Sequence, residues 1–203
     1  MICILRKYAL NLLRKLPIFF YLFILILLSG PAIGQQKRMI PDTAVNAIKL
    51  GDYASTEKVL GARVWDKHFE ANGILPRIEL VNHDKTQVLR LLFHYGGSRN
   101  SVDEFELLAI DKSYKLPGKV VNMNVDGFVT SRKIALGVSK DSVRKVFGNI
   151  FKTLSNKAGV EVTSFEMDES TAFVKRHNEY KYYIRCTFRN GMLIKYAFGF
   201  EYA

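Results

Sequence analysis

Few residues of this 203-residue chain could do chemistry, and their spacing argues against most of the chemistry open to them. The four histidines are His68, His83, His94 and His177. A metal site wants ligands at recognisable spacing, such as H-x-x-x-H with supporting acids, and neither Asp66-x-His68 nor His83-Asp84 supplies it. These read as surface or strand histidines, and no metal or cofactor is expected. Cys3 lies in the leader described below, so Cys186 stands alone in the remainder. A lone thiol makes no internal disulfide, and on an alternating strand it reads as a small buried group. A serine hydrolase of the elbow type needs Gly-x-Ser-x-Gly, which the sequence lacks. Alternation puts Glu104 and Glu106 on one strand face and Asp103 on the other, so these acids read as a solvated strand. No catalytic residue is assigned, and the chain is expected not to be an enzyme.

The glycines point to architecture. Gly51 with Gly61, and Gly137 with Gly148, miss the spacings of phosphate-binding loops. They belong instead to a stretch that occurs twice. Ile48-x-Leu50-Gly51 and Ser55-x-x-Lys58-Val59-Leu60-Gly61 answer Ile134-x-Leu136-Gly137 and Ser142-x-x-Lys145-Val146-Phe147-Gly148. Self-similarity at a fixed period is the mark of a structural unit used more than once. Each copy has the pattern of a short capped helix. Asp52 and Ser139 are N-cap residue types, and Gly61 and Gly148 suit the position just past the last turn. Thr56, Val59 and Leu60, and likewise Val143, Val146 and Phe147, fall on one stripe.

At the N-terminus, Arg6, Lys7, Arg14 and Lys15 precede an unbroken apolar run from Ile18 to Leu28, followed by Ser-Gly-Pro-Ala-Ile-Gly-Gln. This is the pattern of a secretory signal peptide cleaved before Gln35; the run is shorter than the ~20 residues of a membrane span. The expected location is therefore periplasmic or secreted, with no membrane span after cleavage. The whole chain carries a formal charge of +11. A basic surface favours anionic partners, but no block of Lys/Arg supports nucleic acid.

Stepping along the chain, Pro41-Asp42-Thr43 reads as the opening of a short helix that ends at Gly51. Arg77–Val81, Thr86–Tyr95 and Val102–Ile110 read as strands. A linker fits 112–125, with Pro117-Gly118 at its centre. Beyond it Val160–Phe165, Glu179–Arg189 and Met192–Tyr202 are strand-like, with a possible short extra strand near Phe173. Asn190-Gly191 is a strong hairpin signal. The expected organisation is a signal peptide at 1–34, a first α+β unit at 35–111, the linker, and a second unit at 126–203. The fold class is α+β, two tandem ααβββ-like units with short helices on one face of an antiparallel sheet.

An I-x-L-G turn, a short helix ending in an apolar residue and glycine, and a meander closing at an Asn-Gly hairpin resemble the β-lactamase-inhibitor-protein family and the small SmpA/OmlA-type outer-membrane proteins. The resemblance covers roughly Pro41 to Tyr202 and implies a non-enzymatic protein-binding module. The chain lacks the lipid-anchoring cysteine of the SmpA/OmlA type and the disulfide pair of the secreted inhibitors, and none of the inhibitor's contact residues maps onto it.

A two-residue loop at Asn190-Gly191 pairs Arg185 with Tyr196, Tyr183 with Phe198 and Lys181 with Phe200. Lys181, Tyr183, Arg185, Tyr196, Phe198 and Phe200 then form one basic-aromatic face, the candidate binding face. The opposite face holds Tyr182, Ile184, Cys186, Phe188, Leu193 and Ala197, a core in all but Lys195. The function expected is recognition or inhibition of a protein, or of an anionic envelope component, through an exposed sheet face. The alternatives are a small exported hydrolase and a carrier of an apolar ligand held between sheet and helices.

Overall fold

The computed structural model describes residues 39–61, 76–95, 101–111, 114–116 and 119–202. The stretch 1–34, where a signal peptide is expected, lies outside them. Met39–Ala203 groups as one compact unit. It is mixed α+β, built on one large, mostly antiparallel sheet with a few short helices.

Local chemistry sets the short elements. A two-residue hairpin, β1 (Ala44–Val45) and β2 (Ile48–Lys49), stands where the sequence suggested a leading helix. Asn46 explains the difference: it takes the left-handed conformation at φ 49, and its Oδ1 accepts from the Val129 backbone at 2.9 Å. Helix α1 (Tyr53–Leu60) is capped by Asp52, whose carboxylate accepts from the Ser55 N–H. Helix α2 (Lys140–Phe147) is capped by Ser139 in the same way, from the Ser142 N–H. Gly61 and Gly148 end the helices at φ 78 and 83, where a side chain would be strained.

The sheet holds eight strands in the order β6-β3-β4-β5-β10-β9-β8-β7. They are β3 (Arg77–Val81), β4 (Gln87–Leu92), β5 (Glu104–Ala109), β6 (Val121–Asn122), β7 (Lys152–Lys157), β8 (Val160–Asp168), β9 (Lys181–Arg189) and β10 (Met192–Phe200). The expected linker thus supplies an edge strand, β6, parallel to β3. The extra element near Phe173 is not a strand but helix α3 (Ala172–His177), capped by Thr171 and ended by Asn178 at φ 56. Because β5 pairs with β10, the strands of the two expected units run through one continuous sheet.

The inner face of the sheet carries the core. Leu80, Leu89, Leu107, Phe198, Ile184 and their neighbours are buried there with Val45 and Ile48 of the hairpin, Val143 and Phe147 of α2 and Val174 of α3. Fully burying each such side chain is worth about 1.5–3 kcal/mol. Asp42 is fully buried in the same layer and ties it together. Its carboxylate accepts from Tyr196 at 2.6 Å, Ser131 at 2.9 Å and the Arg132 N–H at 2.7 Å, while its carbonyl accepts from Tyr182 at 2.8 Å. Burial pushes the Asp42 carboxyl above its usual range, against the opposing pull of those hydrogen bonds.

Candidate binding face

The candidate face of the sequence analysis is divided by a β-bulge. Leu193 pairs with Phe188, but Lys195 pairs with Thr187, so Ile194 is an extra residue in β10. One extra residue sends every later side chain to the other face. Tyr196, Phe198 and Phe200 therefore oppose Cys186, Ile184 and Tyr182 in the core, at 0%, 0% and 2% exposure. These three are corrected from candidate binding residues to core residues. Lys181, Tyr183 and Arg185 do lie on the outer face, joined there by Lys195. A lysine in an otherwise apolar core list was the sequence signal of the bulge.

Residue rows cross the outer face. One runs Glu79, Arg90, Glu106, Ala197, Arg185, Ser164; another runs Arg77, Leu92, Glu104, Gly199, Tyr183, Glu166. On the β3–β4–β5 half, the charges are spent on one another. Glu79, only 2% exposed, receives Arg90 Nε at 3.0 Å and the Tyr114 hydroxyl at 3.0 Å. Arg77 Nε also approaches it at 3.2 Å, outside hydrogen-bond geometry. Arg90 reaches Glu106 at 2.6 Å and Tyr114 at 2.9 Å, and Lys195 closes the network on Glu106. Although burial pushes Glu106 up, Lys195 and Arg90 outweigh it and hold this carboxyl below its usual range.

The β9 half is less fully paired: Lys181 is bonded to Glu201 at 2.7 Å and lies 3.8 Å from Glu166, but the cations further along the strand are not so held. Its outward residues are Lys181, Tyr183, Arg185, Thr187 and Arg189, an alternation of cations and polar groups. Tyr183 leans over Gly199 to hydrogen-bond Glu104. A side chain at Gly199 would lie 2.6 Å from Glu104 Cα, so only glycine fits. Arg185 is exposed, with its guanidinium 5.3 Å from the Tyr183 ring centroid. Among the described residues it has no carboxylate within ion-pair distance. Arg189 is 53% exposed and meets Asp111 only at 3.9 Å. Beneath Arg185 in the row, the buried Ser164 hydroxyl has no hydrogen-bond partner among the described residues.

The other reactive residues have local roles. His94 Nε2 lies 3.0 Å from Glu104, its backbone N–H donates to Asp103 at 2.7 Å, and its ring meets Tyr202 edge-on. Burial pushes His94 down, but Glu104 and Asp103 outweigh it and raise it above the usual imidazole range. His83 is exposed beside Asp84, and His177 packs on Phe173; His68 lies outside the described residues. Cys186 is buried in the core, and burial pushes its thiol up to about 12. Among the described residues no group of three or more His, Cys, Asp or Glu could hold a metal ion, and no helix is long and apolar enough to cross a membrane.

Comparisons with protein-family models, curated proteins and solved structures give no match to this chain.

Proposed function

We propose that the chain is an exported, non-enzymatic binding protein that presents the β9 half of its outer sheet face to an acidic protein or an anionic envelope component. The observation that carries this reading is Arg185, exposed, stacked on Tyr183 and without a carboxylate among the described residues. Arginine and tyrosine are enriched at protein interfaces and among their energetic anchors. Arg189, 53% exposed and 3.9 Å from Asp111, lies on the same strand face. Export rests on the leader pattern of residues 1–34. Binding is favoured over nucleophilic catalysis by Cys186 because its thiol is buried in the core and held protonated.

The tandem reading belongs to the same proposal, and hydrogen bonds support it. The Gly51 N–H donates to Val102 just before β5, and the Gly137 N–H to Leu193 near the start of β10, both at 2.8 Å. Each glycine turn thus grips the last strand of its own unit, and those two strands meet at the centre of the sheet. On this reading the first unit opens with the β1–β2 hairpin in place of a helix, and the resemblance to the β-lactamase-inhibitor-protein and SmpA/OmlA families implies a protein-binding module.

Affinity capture from the native envelope tests the reading, with wild type and Arg185→Glu/Arg189→Glu as parallel baits. The wild type should enrich an acidic species that the variant does not retain, at equal melting temperature. Identical recoveries would sink the proposal.

A further inference from the structure

On the inner side, between α2 and strands β7 to β9, lies an open cleft of about 330 Å³. It is lined by the buried Phe188, Thr163 and Val143, the half-buried Phe151, and the exposed Arg144 and Asn149. Phe151 is held edge-on between Phe147, at 5.8 Å, and Phe165, at 6.4 Å, which gives the wall a fixed aromatic surface. The volume is at the small end of the range for ligand sites, which suits a short apolar body.

The charges around the cleft divide sharply. Lys140 is spent, with Nζ at 2.5 and 2.6 Å from the two oxygens of Glu161, which also accepts from Thr153 at 3.2 Å. Arg144 is not. Its one ion-pair neighbour among the described residues is Asp141 at 3.8 Å, with the two side chains 50% and 82% exposed. That separation is too long for a hydrogen bond. Arg144 and Lys145 also occupy the last turn of α2, where cations offset the partial negative charge of the helix end. The result is an aromatic slot with a half-exposed guanidinium at its mouth that makes no side-chain hydrogen bond to the described residues.

We infer that this cleft is a second binding site, independent of the outer sheet face, for a small amphipathic monoanion: a carboxylate or sulfonate seated on Arg144 with its apolar body against Phe151, Val143 and Phe188. Charge complementarity selects the anion over a neutral apolar molecule of the same length. Glu161 is neutralised mainly by Lys140, with Arg144 adding a weaker attraction.

The probe is sodium octanoate, titrated into the isotopically labelled full chain and followed by heteronuclear NMR, with 1-octanol as the neutral match. Saturable shifts are expected at the amides of Arg144, Phe151 and Thr153, with octanol bound about tenfold more weakly, as for loss of one charge-assisted hydrogen bond. Arg144→Gln should weaken octanoate by about the same factor and leave octanol unchanged. Asn149→Trp, at the exposed mouth, should obstruct both ligands while the spectrum stays dispersed. The inference is overturned if octanoate causes no saturable shift at the cleft, if octanol binds as tightly, or if folded Arg144→Gln binds octanoate like the wild type.

Discussion

On the β3–β4–β5 half of the outer face, Arg90 is clamped between Glu79 and Glu106 and bonded to Tyr114; on the β9 half, Arg185 lies on Tyr183 with no carboxylate in reach among the described residues. Burial accounts for the contrast. Glu79 is almost fully buried, and a buried charge is tolerated only when paired and hydrogen-bonded. Its network is therefore committed to the fold. Arg185 is exposed, where a charge costs little and a surface ion pair would return little, so folding leaves it free. The same residue types thus serve structure on one half and remain available for recognition on the other.

Several substitutions would break or sharpen that contrast. The largest effect is expected in the core behind it: Phe198→Ala should cost about 3–5 kcal/mol, measured by chemical denaturation, and any loss of binding should track unfolding. A near-neutral result would return Phe198 to the surface. Arg90→Met should cost about 3 kcal/mol, because it removes the cation shared by two largely buried carboxylates and leaves Glu79 with Tyr114 and Glu106 with Lys195; a change under half that size would mean the network is not committed to stability. Glu106 gives the pH dependence. Its folded pKa is depressed below the ordinary 4.5, so its contribution is fully present above that value and is lost as pH falls through the folded pKa. Thermal melts from pH 6 down to 3 should show a steeper acid loss for the wild type than for Glu106→Gln, and parallel curves would contradict the assignment. Tyr183→Phe should cost about 1 kcal/mol, the usual net value of one hydrogen bond, read from the same denaturation curves. Arg185→Ala should change stability by no more than about 0.5 kcal/mol, and a larger loss would place it in the structural half.

Much of the molecule was legible from its residues. The capped helices at Asp52 and Ser139 follow from side-chain oxygens that satisfy orphan backbone donors, and the Asn190-Gly191 hairpin from two residues that tolerate positive φ, here 51 and 77. The strands β3, β4, β5, β8, β9 and β10 follow from alternation and β-branched content. The leading hairpin was hidden because Val45 and Ile48 sit at a spacing that suits one helix face as well as two facing strand positions. Strand β7, Lys-Thr-Leu-Ser-Asn-Lys, has almost no buried residue, so its place is set by pairing with β8 and not by its own pattern. The candidate face was half legible. Alternation along β9 put Lys181, Tyr183 and Arg185 on one side, but the bulge at Ile194 reversed β10, and only the misfit of Lys195 betrayed it. The charge network of Glu79, Arg90 and Glu106 depends on strand order, which periodicity within single strands does not contain.

The central claim is that the β9 half binds acidic partners through its local geometry and not merely through the net charge of the chain. The direct test compares Arg185→Glu with Lys58→Glu, an equal charge change at an exposed position on α1, for binding to immobilised poly-L-glutamate at physiological salt. The account predicts that Arg185→Glu weakens binding about tenfold or more, the scale of an interface anchor, while Lys58→Glu stays close to wild type and all three proteins melt alike. Equal losses in the two variants, or none in Arg185→Glu, would contradict it.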